Sequence, residues 1–432
     1  MTSATKDVPK EPSMVRQKEL IAGYFDRLAT AKERGKKVVY TFVPGNLTEL
    51  LLAFDVEPVL PEINALQSGM RKLSREYIAE AEKLGHSEDV CTYVKCDVGM
   101  MRKGIGPTGK PIPPPDLLLL SYTGCFTFMK WFELLKQQFP EADVAMLHVP
   151  YQDEGEITNE MRDYVVRQLR TEIVPKLERL TGKALDEGEL AAILERSAGA
   201  EEDLVYCFQS ARHRPSPIDG WFGGVFYIGP IFTAFRGRQE GCDFYRELRA
   251  EIDDRIANKR GPITPIGQLD DQKYRIVVEG PPNWTSFREL WSMFASEGAV
   301  CVASTYTRVG GLYDQGFRHD PSKPFETLAD YCLGCYTNLG LPTRTKLIAK
   351  YVKEYGADGF LVHSVKSCNS FSAGQLLILR EVERLSGVPG AFVESDLVDP
   401  RYFSAANIKN RLESYFQMLE QKRRGRAGEA RP

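Results

Sequence analysis

Residues 358–396, DGFLVHSVKSCNSFSAGQLLILREVERLSGVPGAFVESD, carry the pattern that decides the fold. This stretch predicts a buried strand over 360–363, a tight turn that holds Cys368, an amphipathic helix over roughly 373–385 and a second buried strand. Short apolar runs on either side of one helix are typical of a βαβ unit in a parallel sheet. Cys368 is therefore expected between a strand end and a helix start, where backbone N–H groups and the helix dipole favour a thiolate.

The same plan occurs earlier in the chain, in DLLLLSYTGCFTFMKWFELLKQQFPEADVAMLHVP at residues 116–150. A predicted strand over 117–120 leads to Cys125, a helix follows to about residue 138, and a new strand begins near Val144. Two cysteines at matching positions of two units indicate a role beyond core packing.

Composition places the chain among soluble globular proteins. Its 432 residues suggest two or three domains at about 150 residues each. The net charge of −3 gives no indication of nucleic acid or an anionic membrane as a partner. No apolar run approaches the roughly 20 residues that span a bilayer, and the polar N-terminus does not resemble a signal peptide. Nine cysteines, an odd number, favour a reducing compartment, so a cytoplasmic protein is expected.

The order of patterns predicts an α/β fold with two doubly wound parallel-sheet domains of about four strands each. The first domain is expected over 1–156 and contains Cys91 and Cys125, with Ser87 as a candidate cap for the helix that carries Cys91. A helical middle region interrupted by one long, glycine- and aromatic-rich loop is expected over 157–270. The second α/β domain, over 271–432, contains Cys368 and ends in the charged tail KRRGRAGEARP, which is expected to be disordered.

Three further motifs have ordinary structural explanations. The spacing Gly104-x4-Gly109-Lys110 is like that of a phosphate-binding loop, but Pro111 replaces the required Ser or Thr, and a strand follows instead of a helix. Cys332 and Cys335 form a single CxxC, and without a second pair structural cysteines are favoured over a redox or metal site. His363 lies within a strand, which favours a core histidine with satisfied hydrogen bonds.

Cys125 and Cys368 suggest a metal centre because their positions repeat. Two thiolates at the strand ends of two domains are suited to bind a soft metal centre across the cleft between them. Cys91, on a helix near the same edge, is a candidate third ligand. Three cysteine ligands fit an iron–sulfur cubane with one iron left open. A site-free α/β protein is the alternative that the pattern leaves open.

The sequence around these cysteines resembles the family of benzoyl-CoA reductases and 2-hydroxyacyl-CoA dehydratases. The resemblance covers nearly the whole chain and is strongest to the larger, B-type cluster subunits of the ATP-dependent (class I) reductases. The stretches that carry it are EDVCTYVK, SYTGCFTFMKWFE, SVKSCNSFSAGQ, VEGPPNWTSFRE, GGLYDQGFRHDP, ADYCLGCYTN and SDLVDPRYFSAANIKNRLESYFQM.

The resemblance implies a cofactor and a set of partners. It implies a [4Fe-4S] cluster held by Cys91, Cys125 and Cys368 in the cleft, and benzoyl-CoA as the substrate, reduced to a cyclohexadiene-carbonyl-CoA during anaerobic aromatic degradation. The implied partners are a smaller homologous cluster subunit and two ATPase-type activator subunits with a shared [4Fe-4S] cluster, together a heterotetramer that receives electrons from ferredoxin.

Residues near the strand ends are candidates for the substrate pocket. Trp284, Phe126 and Tyr306 are expected to line it, although plain packing between domains explains them equally well. His363, Tyr122 and Glu279 are candidate proton donors by position alone. Two alternative functions stay open: a subunit of a 2-hydroxyacyl-CoA dehydratase, and a non-catalytic iron–sulfur subunit that relays electrons to a partner.

Overall fold

A computed structural model of the protein describes residues 10–153, 156–309 and 316–429, without the side chains of 426–429. Residues 310–315, which begin the stretch GGLYDQGFRHDP, lie outside the described ranges. Within these ranges no helix combines the length and the apolar composition needed to cross a bilayer.

The first sheet is parallel and has both faces covered. Its strands are β1 (Val38–Tyr40), β2 (Glu57–Val59), β3 (Leu117–Tyr122) and β4 (Asp143–His148), in the spatial order β2-β1-β3-β4. Successive side chains of a strand point to opposite faces. Accordingly, Leu118 and Leu120 join one hydrophobic core, whereas Leu117 and Leu119 join a second core on the other face.

Six helices accompany this sheet along the chain. Proline begins the first turn of the first and third of them, where its missing N–H leaves no hydrogen bond unmade. Gly104 ends the fifth with a φ of 68°. The helices are α1 (Pro12–Ala29), α2 (Thr48–Ala53), α3 (Pro61–Met70), α4 (Ser74–Lys83), α5 (Thr92–Lys103) and α6 (Phe126–Gln138).

The middle region is helical, as predicted, but its predicted long loop is wrong in part. The run WFGGVFYIGPIFTAFRG forms a turn of π-helix over Gly224–Ile228 that continues directly into an α-helix. Asp186 caps the longest helix of this region by accepting hydrogen bonds from the N–H groups of Gly188 and Glu189. The helices are α7 (Asn159–Gln168), α8 (Val174–Thr181), α9 (Glu187–Gln209), α10 (Gly229–Phe235) and α11 (Gln239–Ala257).

The second sheet repeats the topology of the first. A short antiparallel hairpin, β5 (Ile263–Thr264) and β6 (Gly267–Gln268), precedes it. The strands are β7 (Tyr274–Glu279), β8 (Ala299–Ser304), β9 (Gly359–Val365) and β10 (Gly390–Ser395), in the order β10-β9-β7-β8. In both sheets the first strand pairs with the second and the third, and ligands bind at such reversals of strand order. The predicted α/β class and four-stranded sheets are therefore confirmed, whereas the domain boundaries stay predictions.

Two predictions about the helices of this half need correction. A one-turn helix lies between Cys368 and the predicted amphipathic helix, which begins at Gln375. The charged tail is helical as far as Glu429 instead of disordered from residue 422. The helices are α12 (Phe287–Ser296), α13 (Pro324–Leu333), α14 (Leu341–Glu354), α15 (Asn369–Ser372), α16 (Gln375–Ser386) and α17 (Ala405–Glu429).

Candidate functional site

Each of the three predicted cysteines is the residue immediately before a helix. Cys125 lies between β3 and α6, and Cys368 lies between β9 and α15, so both follow the third strand of their sheets. Cys91 immediately precedes α5. The predicted cap at Ser87 is wrong, because this helix begins at Thr92.

A glycine allows the Cys125 turn to approach the other half of the chain. Gly124 has a φ of +80°, in the left-handed region that favours glycine. A Cβ atom at this position would lie 2.4 Å from the carbonyl oxygen of Thr337. The turn thus needs glycine for its conformation and for the space that glycine leaves.

All three cysteines line one cavity, at the edge where the two sheets end. The space between atoms in this cavity is about 1010 Å³, its open mouth included. The Cys125 side chain is buried, and those of Cys91 and Cys368 are partly exposed. The structure therefore brings together the three residues that the sequence singled out.

These three cysteines are the side chains of the cavity wall that could hold an iron–sulfur cluster, because cysteine thiolates are the usual ligands of such clusters. All three cysteines are free thiols. Among the described residues, no three Cys, His, Asp or Glu side chains are placed to bind one metal ion. In a cubane each thiolate binds a different iron, so the sulfurs surround a larger centre than a mononuclear site does.

Burial raises the pKa of these thiols instead of lowering it. The pKa of Cys91 rises to about 12 because of burial and the nearby Cys125, although the N–H groups of Tyr93 and Val94 act in the opposite direction. Burial also raises the pKa of Cys125 and Cys368. The expected preference for thiolates is thus wrong for the protein alone. A bound cation deprotonates a coordinating thiol outright, so metal binding reverses this preference.

Hydrogen bonds between the two halves fix Cys91 near Cys368. The Thr92 hydroxyl donates to Oδ1 of the buried Asp396 at 2.6 Å, and the Ser367 N–H donates to Oδ2 at 3.0 Å. The Thr92 N–H donates to Oγ of Ser367 at 3.3 Å. The start of α5 is therefore joined to the ends of β9 and β10.

The walls of the cavity are mainly apolar and aromatic. Trp284 and Tyr306 line it as predicted, and the Trp284 indole N–H donates to the Tyr93 hydroxyl at the wall. Phe126 does not, because its ring is 66% exposed on the outside. The middle region closes one side of the cavity, which the sequence did not predict, with Gly224, Val225, Gly229, Pro230 and Thr233.

The proton donors suggested by position do not face the cavity. Tyr122, Glu279 and His363 are absent from the walls formed by the described residues. His363 has both ring nitrogens in hydrogen bonds, to the Pro281 carbonyl and, at 2.7 Å, to the Ser395 hydroxyl. Burial lowers its pKa to about 4. It is a core histidine, in agreement with the structural interpretation.

Among the described residues of the cavity wall, Glu62 is the acidic one, and the sequence analysis missed it. It lies in the first turn of α3, and its Oε1 accepts a hydrogen bond from the Val43 N–H at 2.8 Å. Its Oε2 is buried and has no hydrogen-bond partner. Burial raises the pKa of Glu62 to about 8, so the carboxyl group holds a proton at neutral pH. The sequence feature that could have identified Glu62 is its position: it is an acidic residue directly after Leu60-Pro61, where a short strand meets a helix.

The remaining motifs are structural. Lys110, at the end of the glycine-rich loop, pairs with Asp26 on α1. Cys332 and Cys335 are buried, and their S–H groups donate to the carbonyls of Gly45 and Tyr331 at 3.5 and 3.3 Å.

Known proteins with similar sequences are components of enzymes that act on acyl-CoA thioesters, as their names state. Residues 41–419 match the family model described as 2-hydroxyglutaryl-CoA dehydratase, D-component. The chain is 63% identical over 420 residues to a benzoyl-CoA reductase subunit of Thauera aromatica, covering 97% of each chain. It is 26% identical over 424 residues to the (R)-2-hydroxyisocaproyl-CoA dehydratase alpha subunit of Clostridioides difficile, covering 97% of this chain and 99% of the relative.

Proposed function

Because the chain belongs to the family of the 2-hydroxyglutaryl-CoA dehydratase D-component, we propose that it is the cluster-bearing subunit of an ATP-dependent benzoyl-CoA reductase. The reaction adds two electrons and two protons to the aromatic ring and gives cyclohexa-1,5-diene-1-carbonyl-CoA. The observation that carries this proposal is the 63% identity to a benzoyl-CoA reductase subunit over nearly the full length of both chains. Identity to a dehydratase alpha subunit is 26%.

We assign Cys91, Cys125 and Cys368 as the ligands of a [4Fe-4S] cluster. Their place around one cavity and their free thiols support this assignment. When bound, the cluster supplies low-potential electrons to the substrate. The resemblance seen in the sequence supports the same three ligands.

The chain's own residues have two roles in this proposal: they bury the substrate ring, and one of them protonates it. The apolar walls exclude water from the ring, which strengthens every electrostatic interaction inside the cavity. Glu62 holds a proton on its carboxyl group at neutral pH and lies in the wall, so we assign it as the group that protonates the ring. Trp284 and Tyr306 supply flat surfaces suited to an aromatic ring.

The complex requires further chains. We propose a smaller homologous cluster subunit, two ATPase-type subunits that share a [4Fe-4S] cluster, and ferredoxin as the electron donor, together in the cytoplasm. ATP hydrolysis is assigned to the other subunits because the loop at Gly104–Lys110 lacks the residues and the helix that bind phosphate.

Anaerobic assay of the complete complex tests the proposal. We expect ATP-dependent loss of benzoyl-CoA and formation of the cyclic diene with reduced ferredoxin as donor. Turnover of 2-hydroxyacyl-CoA thioesters without benzoyl-CoA reduction would overturn it. A photo-crosslinking benzoyl-CoA that labels only the smaller subunit would instead support the electron-relay alternative.

A further inference from the structure

Two polar atoms in the cavity wall lack a hydrogen-bond partner. Among the described residues that line the cavity, buried side-chain oxygens without a partner occur at Glu62 Oε2 and Thr337 Oγ1. Polar groups that are buried without partners are costly, so native proteins retain few of them without a reason. The Glu62 carboxyl group has a role in the proposed reaction, whereas the Thr337 hydroxyl has none so far.

Thr337 belongs to a segment that is fixed to both halves of the molecule. It lies in a one-turn 3₁₀ helix over Tyr336–Asn338, directly after the CxxC motif. On one side, the Asn338 amide donates to the Pro150 carbonyl at 2.9 Å, and the Gln152 N–H donates to the Asn338 carbonyl at 3.0 Å. On the other side, the Tyr336 hydroxyl donates to the Glu279 carboxylate at 2.7 Å.

The CxxC motif that precedes this segment also contacts the first half of the chain. The Cys332 thiol donates to the Gly45 carbonyl, in the loop that follows β1. The Thr337 carbonyl packs against Gly124, the residue next to Cys125. The whole arrangement therefore fixes Thr337 in the wall of the cavity that the three cysteines also line, and it leaves the Thr337 hydroxyl unpaired.

We propose that the Thr337 hydroxyl donates a hydrogen bond to the thioester carbonyl oxygen of the bound acyl-CoA. This inference rests on the proposed function and assigns a substrate contact within the same site. The carbonyl is the strong acceptor next to the reacting ring, and negative charge moves onto it when the ring accepts an electron. A fixed donor in an apolar cavity stabilises such charge more than it stabilises the neutral ground state.

The test compares Thr337→Val, which keeps the shape and removes the hydroxyl, with Thr337→Ser, which keeps a hydroxyl. Both are prepared in the complete complex. Benzoyl-CoA labelled with ¹³C at the carbonyl is bound without ATP, so that it is not reduced, and its carbonyl stretch is measured by infrared difference spectroscopy. We expect the band to move to higher frequency in Thr337→Val and to stay near its wild-type position in Thr337→Ser.

Kinetics supply a second measurement. We expect Thr337→Val to lower kcat by about 100-fold, the order found for one donor to a developing oxyanion. The dissociation constant of benzoyl-CoA should rise less than about 10-fold, because a neutral hydrogen bond contributes little to net ground-state affinity. Thr337→Ser should retain most of the rate.

An unchanged carbonyl band in a folded, iron-replete Thr337→Val complex would overturn the inference. If that variant does not assemble, Thr337→Ala replaces it, and the same band decides. Failure of the proposed function is recognised separately, because the wild-type complex would then neither bind nor reduce benzoyl-CoA.

Discussion

Burial shifts the pKa values of the acidic groups and thiols in the cavity wall in the same direction. It raises the pKa of Glu62 and of the three cysteines. For Glu62 this leaves a neutral acid at physiological pH, which is the form that donates a proton. For the cysteines it disfavours the free thiolate, so cation binding must supply the free energy of deprotonation.

Glu62→Gln tests the proton donor, because the amide keeps the shape and loses the acid. We expect the rate of benzoyl-CoA reduction to fall by about 100-fold or more, the contribution of a general acid. Wild-type activity should also decline above about pH 8, where Glu62 loses its proton. The measurement is kcat against pH, with Glu133→Gln on the surface of α6 as control. A constant ratio of variant to wild-type rate across pH 6–9 would exclude Glu62 as the donor.

The same carboxyl group predicts how stability depends on pH. Its pKa is about 8 in the folded protein against an ordinary 4.5, so between these values the folded state binds more protons than the unfolded state. The contribution of Glu62 to the free energy of unfolding therefore falls as pH rises through this window. We expect Glu62→Gln to gain thermal stability relative to wild type between pH 5 and pH 8. A Tm difference that does not change with pH would contradict the raised pKa.

Single replacements by serine test the cluster ligands. We expect Cys91→Ser, Cys125→Ser and Cys368→Ser each to lose most of the iron that the wild-type subunit holds after anaerobic purification with its partners. Cys242→Ser is the control, because this thiol lies outside the cavity and donates to the Arg196 carbonyl, as a serine hydroxyl also can. A variant that keeps its full iron content removes that cysteine from the ligand set.

Single residues were predicted from the sequence only where a local pattern marked them. Cys125 and Cys368 were found because each follows a strand and precedes a helix. Glu62 and Thr337 were missed, because a missing hydrogen-bond partner is a property of the packed molecule and not of neighbouring residues. Phe126 was placed in the pocket because it follows Cys125, but the first turn of α6 points its ring outward.

The strands were predicted well, whereas the π-turn and α10 were predicted as a loop. Parallel strands buried on both faces read as continuous apolar runs, which the sequence shows clearly. The run WFGGVFYIGPIFTAFRG, which contains the π-turn and α10, has four glycines and a proline among aromatic residues, a composition typical of a loop. Its glycines instead permit close packing: a Cβ at Gly224 would lie 3.0 Å from atoms of Phe208 and Thr307.

The turn between β3 and α6 gives a prediction for a whole element. Gly124→Ala would place a Cβ 2.4 Å from the Thr337 carbonyl, in addition to the cost of about 1–2 kcal/mol for a left-handed conformation. We expect the Cys125 turn to shift and both Tm and iron content to fall. Gly104→Ala is the matched control, with a φ of +68° and no atom within 4 Å of the added Cβ. Equal losses in the two variants would show that the contact with Thr337 is unimportant.

In the whole molecule, two sheets of the same topology end at one cavity. The sequence predicted both sheets and the matching cysteines, because these follow from local periodicity. It could not give the orientation of the two halves. That depends on contacts between residues far apart in the chain, such as Thr92 and Asp396. The helical middle region adds a wall to the cavity by the same kind of long-range packing.

Asp396 joins the two halves at the cysteines, so its replacement tests whether this junction holds the cluster. Asp396→Asn replaces one carboxylate oxygen by an NH₂ group. It therefore removes the acceptor either of the Ser367 N–H or of the Thr92 hydroxyl, which then keeps only its 3.3 Å contact with Oγ of Ser367. A buried donor left unsatisfied costs about 1–3 kcal/mol, which we expect as a loss in the free energy of unfolding. We further expect faster iron release to a chelator, because Cys91 and Cys368 adjoin these two donors. Glu394→Gln, at an exposed position of β10 two residues before Asp396, should change neither quantity. If Asp396→Asn lowers stability while iron release stays at the wild-type rate, the junction stabilises the fold without holding the cluster site together.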